Sequence, residues 1–481
     1  MSSSIEKYIL FEKGLLDADE SFDVVDVLND INVIEILPSM SKDARLSLYQ
    51  KYLTEKESTT FDNFYNKAFG EELTFGAVES IINNGEITIR HPLNDDILKS
   101  RHSVQTKVPF RNFIRFQSSN DVLYVYQENF TFEAFFFPFN RLCVVIKHGS
   151  FDIRDVLSLL LSKLRNHIGP YSNYFFSTPS FCGIKTEHPS PYHWYYLKLQ
   201  ALSEILPRFA GKNKKVAVLT SSKGLFLRLD SIFPDVIENY RYVEEFISFD
   251  GNIIPSECFY NEFYFSIGFR MCFISSAEAE DMIKNKTKPL DDLVLKALKT
   301  FDSCAYNEVL CASENDHFIL WLGITTGKRA WIEETDAYTE LVKRLSIIHK
   351  NVTVILDGWT STHQQNQEKQ QVHELYGDDD KVKDKIIHKL QHLDNVNFLS
   401  LIGGLAEEKI AIASKVDFFV ANHATGSLWV SRIARNNGVV HISNAARISS
   451  LLQHIHWDAL LIPESVKPAP TLSLSPPAST F

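Results

Sequence analysis

The chain has 481 residues, 44% hydrophobic and 12% aromatic, enough for two or three domains with cores of their own. Its formal charge of -11 argues against a large nucleic-acid footprint, while leaving room for a local basic pocket. Six cysteines (Cys143, Cys182, Cys258, Cys272, Cys304 and Cys311) form no C-x-x-C pair and no His/Cys metal spacing, which points to reduced thiols in the cytoplasm and away from a disulfide frame or zinc site.

The start, "MSSSIEKYILFEKG", carries early acidic residues and lacks the apolar stretch of a signal peptide. No uncharged apolar run approaches the ~18 residues of a membrane-spanning helix. The expectation is a soluble cytoplasmic protein, at most peripheral on the inner face of the cell membrane. Residues 1–140 mix helical and extended segments and read as an α+β, β-rich extension. "VLYVYQENFTFEAFFFPF" and "LCVVIKH" have the β-branched and aromatic content of short strands.

A second unit is expected over 141–312. "DIRDVLSLLLSKLRNHI" repeats apolar residues at helical spacing behind an aspartate cap. "FCGIKT" reads as a buried strand, "PYHWYYLKLQALSEIL" as a helix with proline near its first turn, and "KVAVLTS" as the next strand. That order is one βαβ unit and implies a parallel sheet. Farther on, "YVEEFISF" and "EFYFSIGF" suit strands, and "LDDLVLKALKTF" a helix.

The third unit, 313–465, has the clearest rhythm. Strands "HFILWLGIT", "VTVILDG", "VNFLSLIGG", "VDFFVAN" and "VVHIS" alternate with helical stretches such as "ETDAYTELVKRLSIIH", "LAEEKIAIAS" and "SLWVSRIARN". This is the pattern of a doubly wound α/β domain. Asp378–Asp380, in "YGDDD", read as a solvated loop interrupting a long charged helix. The tail, 466–481, is proline- and serine-rich and reads as disordered.

Two bends of the third unit combine groups suited to an anion. "NHATGS" follows the fourth strand and offers His423, Thr425, Gly426 and Ser427 where a helix begins; free amides and the helix dipole favour negative charge there. Alternatively Thr425 simply caps the helix and His423 bonds a nearby carbonyl. "GITTGKRAW" follows the first strand and offers Thr325, Thr326, Gly327, Lys328 and Arg329. Adjacent cations, hydroxyls and flexible backbone suit a diphosphate; alternatively Lys328 and Arg329 are only solvated turn residues. Neither a Walker loop nor G-x-G-x-x-G occurs, which disfavours P-loop, NAD and FAD chemistry. Asp357, ending the second strand, is placed where a carboxylate can bond ribose, or cap the next turn. Glu407 and Glu408 suit plain helix charge, and His363, His373, His388 and His392 show no metal spacing; no metal or cofactor is expected.

"TTGKRAWIEETDAYTELVKRL" and "ASKVDFFVANHATGSLWVSRIA" resemble the nucleotide-sugar domain of GT-B glycosyltransferases, the bacterial heptosyltransferase type of surface polysaccharide assembly above all. The likeness spans roughly residues 318–445. It implies a GT-B-like α/β fold, two Rossmann-like domains facing a cleft, with Thr325, Thr326, Lys328, Thr425 and Gly426 around the donor. Ala424 stands where the heptosyltransferase pattern has aspartate, and Trp429 where it has histidine. The spacing of His423 and Gly426 is similar to other GT-B branches.

In that reading the second unit holds a glycan or lipid-linked acceptor and the base an inverting transfer needs. The loop "KTEHPSPYHW" supplies Glu187, His188 and His193, with His193 alternatively on phosphate or acceptor; the other reading is that this aromatic, proline-rich loop only packs the domain junction. Alternatives to the glycosyltransferase are a nucleotide-sugar epimerase of similar layout and a non-catalytic glycan-binding or scaffold protein.

Overall fold

A computed structural model describes residues 3–17, 20–37, 39–68, 72–94, 96–105, 111–128, 131–146, 152–186, 190–220, 225–242, 248–249, 252–253, 262–266, 277–298, 301–326, 331–363, 369–423 and 425–441. Its amino-terminal part is built on a seven-stranded sheet. The strands are β1 (Asn32–Ile36), β2 (Ile87–Arg90), β3 (Ile97–Gln105), β4 (Arg111–Gln117), β5 (Val122–Glu128), β6 (Thr131–Phe137) and β7 (Leu142–Ile146). Strands β2 to β7 form an antiparallel meander, and β1 adds to β7 in parallel.

Side chains alternate across a strand, so a sheet covered on both faces reads as an unbroken apolar run. That is the case here: Leu123 and Val125 enter one core, Tyr124 and Tyr126 the other. The second face is closed by the helix Ile153–Asn166, whose first turn is capped by Asp152 Oδ1 accepting the Arg154 N–H at 2.8 Å. Leu157, Leu160 and Leu161 of that helix pack with Val145 and Tyr124. The expected break at 140/141 therefore falls between paired strands. β7 and the helix after it belong with the sheet because their apolar faces are buried against it.

The second sheet contains β8 (Ser180–Lys185), β9 (Val216–Thr220), β10 (Ile237–Tyr242) and β13 (Glu262–Ser266), in the order β10-β9-β8-β13 and all parallel. Two short strands, β11 (Ser248–Phe249) and β12 (Asn252–Ile253), pair with each other. After β8 the chain enters the short helix Pro191–His193, a π-helical stretch Trp194–Leu199 and the helix Gln200–Ala210.

The third sheet contains β14 (Phe318–Gly323), β15 (Val352–Asp357), β16 (Val396–Ser400), β17 (Phe418–Asn422) and β18 (Gly438–His441). These coincide with the five strand runs legible in the sequence. The order is β16-β15-β14-β17-β18, fully parallel. Succession runs one way from β14 to β16 and the other way to β18, so the topological switch point lies between β14 and β17. One expectation is corrected: "YGDDD" is no loop, because the helix Lys369–Leu390 runs through it.

Candidate functional site at the switch point

Beyond the carboxyl end of β14, Ile324 N–H donates to Asp357 O at 2.7 Å and Tyr338 Oη–H donates to Gly323 O at 2.9 Å. These bonds fix where Thr325 and Thr326 emerge. Beyond β17, the helical turn Thr425–Ser427 runs into the π-helical stretch Leu428–Ile433. A Cβ placed on Gly426 would stand 3.9 Å from Thr325 Oγ1 and 3.9 Å from Asn422 Cβ. The two bends singled out in the sequence thus converge at the switch point, a place where ligands of open α/β sheets bind. Gly426 is not forced by packing, since a methyl group fits there at ordinary contact distance.

The other sequence candidates divide. His423 and Ser427 are buried in the wall of the bend, and the His423 N–H donates to His441 O at 3.0 Å. His193 is half-buried in the turn after β8, its ring 5.2 Å from that of Tyr192. Glu187, His188, Gly327, Lys328, Arg329 and Ala424 lie outside the described residues. Asp357, the expected ribose contact, is 1% exposed and forms a buried ion pair with Lys409 Nζ at 2.6 Å. Lys409 also donates to Gly358 O, Trp359 O and Thr360 Oγ1, tying down the loop after β15. Burial pushes the Asp357 carboxyl up and the Lys409 ammonium down, against their mutual attraction. Trp429 is buried, its Nε1–H donating to Thr360 Oγ1 at 3.3 Å. The position where the heptosyltransferase pattern has histidine is therefore part of the core.

Two acids at this site were not singled out in the sequence. Asp379 is buried in the helix Lys369–Leu390; its Oδ1 accepts from the Thr326 hydroxyl and its Oδ2 from the Trp359 N–H at 2.9 Å. One carboxylate thus braces the loop after β14 against the loop after β15. A Cβ on Gly358 would stand 2.7 Å from Asp379 Oδ2, so the approach requires glycine there. Glu334 opens the helix Glu334–Ile348 and accepts the Thr325 N–H at 3.3 Å. Burial, with the Asp379 charge adding to it, pushes its carboxyl up to about 8, so at neutral pH it holds its proton.

The second and third units meet through buried polar contacts. Asp291, on the helix Ala277–Leu298, accepts from Tyr195 Oη–H at 2.6 Å and pairs with Arg432 Nε at 3.2 Å. Tyr195 and Arg432 come from the two π-helical stretches, one in the chain after β8 and the other after β17. All three side chains are fully buried, and burial pushes the Asp291 carboxyl up to about 6 despite the guanidinium. A second seam joins His363 N–H to Leu225 O at 3.3 Å and Arg228 N–H to Glu407 Oε1 at 2.7 Å.

Among the described residues, no group of three or more His, Cys, Asp or Glu is placed to hold a metal ion. Nor is any helix there long and apolar enough to cross a membrane. No family model matches this chain, and no curated protein does. Among solved structures, the glycosyl transferase family 9 protein from Veillonella parvula DSM 2008 is similar over 54% of this chain and 79% of its own, with 9% identity and a TM-score of 0.30. So slight a likeness transfers no residue role.

Proposed function

We propose that this protein is a glycosyltransferase of GT-B-like layout, moving a sugar from a nucleotide-sugar donor to a glycan or lipid-linked acceptor. The observation that supports this most is the convergence of Thr325 and Gly426 at the switch point of a five-stranded parallel sheet. A diphosphate seated there is met by the Thr325 hydroxyl and by the helix start at Thr425 and Gly426, the Thr326 hydroxyl being given to Asp379. Lys328 and Arg329, from the same loop, neutralise the charge that grows on the leaving diphosphate. No metal is assigned a part. The acceptor belongs on the loop after β8, with Glu187, His188 and His193 as the sequence's candidates for its base. The setting that fits is the cytoplasmic side of surface polysaccharide assembly, with at most peripheral membrane contact.

Thermal unfolding of the full chain with UDP, GDP, dTDP, ADP, CMP and their sugars tests the reading. One nucleotide is expected to raise Tm selectively. Lys328→Ala should abolish the shift. Gly426→Ala should weaken binding about tenfold, since a methyl group narrows the approach to the backbone, while the Tm of the free protein stays within a few degrees. A panel that shifts nothing sinks the proposal; sugar interconversion without an acceptor would mark an epimerase instead.

A further inference from the structure

His363 and Glu407 were unremarkable in the sequence, 44 residues apart, yet His363 Nε2 lies 2.5 Å from Glu407 Oε1. Glu407 is 2% exposed and sits in the first turn of the helix Ala406–Ala413, where the helix dipole favours negative charge. Its Oε1 also accepts the Arg228 N–H from the neighbouring unit, whereas its Oε2 is buried with no partner among the described residues.

With Glu407 accepting at Nε2, the imidazole carries its proton there and Nδ1 holds the lone pair. No described residue hydrogen-bonds that Nδ1, and the side chain is partly open to solvent. The contrast is His91. Its Nε2 faces Asp121 Oδ2 at 2.9 Å and its Nδ1 accepts from Leu93 N–H and Asn94 N–H, so both nitrogens are committed to structure.

The loop bearing His363 is also held rigidly. Ser361 pairs with Leu405, Lys409 holds Gly358, Trp359 and Thr360, and Thr360 binds Trp429, one turn beyond Gly426. The imidazole therefore stands on the same sheet edge as the switch-point crevice, at the seam with the second unit. A base needs this setting: an oriented imidazole on a fixed support, with one nitrogen unbonded among the described residues.

We infer that His363, in place of the loop candidates Glu187, His188 and His193, is the proton acceptor of the transfer and Glu407 its positioning residue, an assignment that rests on the glycosyltransferase reading. In the step, the acceptor hydroxyl gives its proton to His363 Nδ1 as its oxygen bonds the anomeric carbon. The bond from that carbon to the diphosphate breaks, and its electron pair leaves with the diphosphate. Glu407 stabilises the imidazolium that forms. Because the Arg228 N–H helps hold Glu407, the base is oriented only when the two units are docked.

The test is hydrolysis of whichever UDP-, GDP-, dTDP-, ADP- or CMP-sugar binds most tightly, with water as acceptor. His363→Gln keeps an N–H for Glu407 but removes the base; kcat is expected to fall roughly 10²–10⁴-fold with donor Kd within twofold of wild type. Glu407→Gln should lower kcat about tenfold or more and displace the acid limb of the pH–rate profile. Added imidazole should restore part of the rate of His363→Ala, which a purely structural role does not predict. If wild type turns over and His363→Gln keeps its rate, this inference is overturned while the transferase reading stands. If wild type hydrolyses no donor, that reading fails and takes the inference with it.

Discussion

Glu12 and Glu334 are two glutamates at 1% and 3% exposure in different parts of one chain, and their surroundings put them in opposite situations. Glu12, beneath the seven-stranded sheet, accepts from Arg115 Nε–H at 3.1 Å and Tyr124 Oη–H at 2.8 Å. The guanidinium also donates to Glu12 O and to Gln117 Oε1, and lies 4.4 Å from the Phe175 ring centre. Glu334, at the switch point, accepts one backbone N–H and faces the negative charge of Asp379. Equal burial gives an ion pair in the first case and a carboxyl pushed up to about 8 in the second, because only the first is given a counter-charge. The amino-terminal core uses its buried acid as a fastener. The crevice keeps its acid uncharged, which leaves the site free of one negative charge where an anion is proposed to bind.

The comparison breaks most readily at Arg115. Arg115→Met leaves Glu12 buried without its cation and should cost about 3–5 kcal/mol, measured by urea unfolding; a loss under 1 kcal/mol would mean that Glu12 was never relying on it. Asp379→Ala comes next. It leaves the Trp359 N–H and the Thr326 hydroxyl without their acceptor, for a loss of about 1–3 kcal/mol and a marked fall in nucleotide affinity. Gly358→Ala should reproduce both effects by displacing the same carboxylate; unchanged affinity in both variants would remove Asp379 from the site.

Glu334→Gln sharpens the contrast through its dependence on pH. The unfolded chain releases this proton near the ordinary glutamate value of 4.5, while the folded chain keeps it until about 8. Over that window the folded state binds more protons, so wild-type stability falls as pH rises and levels off above it. Glu334→Gln removes this slope: the two proteins should be similarly stable at pH 4.5, and the variant relatively more stable at pH 8.5. Parallel stability curves would show that Glu334 ionises normally.

The five strands β14–β18 were legible because a parallel sheet buried on both faces leaves uninterrupted apolar runs such as "FILWLG" and "VTVILD". Thr325 and Gly426 were legible for a related reason: they directly follow strands whose order predicts the switch point. Asp379 was not. Gly377 and three successive aspartates favour a loop by local propensity, yet the helix persists because its apolar residues, Val382, Ile386 and Leu390 among them, join the core of the third sheet. Asp379's partners lie 53 and 20 residues away, beyond any local pattern. The pair of His363 and Glu407 was hidden likewise, since a glutamate in the first turn of a helix already has an ordinary explanation. The edge of the first unit, expected at 140/141, lies farther along the chain because packing on the sheet continues through Phe175.

The bridge of Tyr195, Asp291 and Arg432 has a consequence for ligand traffic. Parting the two units by a wide hinge rotation would strand a guanidinium and a carboxylate in an apolar interior, at about 3–5 kcal/mol. If the whole of that penalty falls on the opening step, the step slows by roughly a few hundred- to a few thousandfold. On the glycosyltransferase reading proposed above, a nucleotide would enter and leave such a latched molecule at the rim, and the width of the rim would set how large a sugar can follow it.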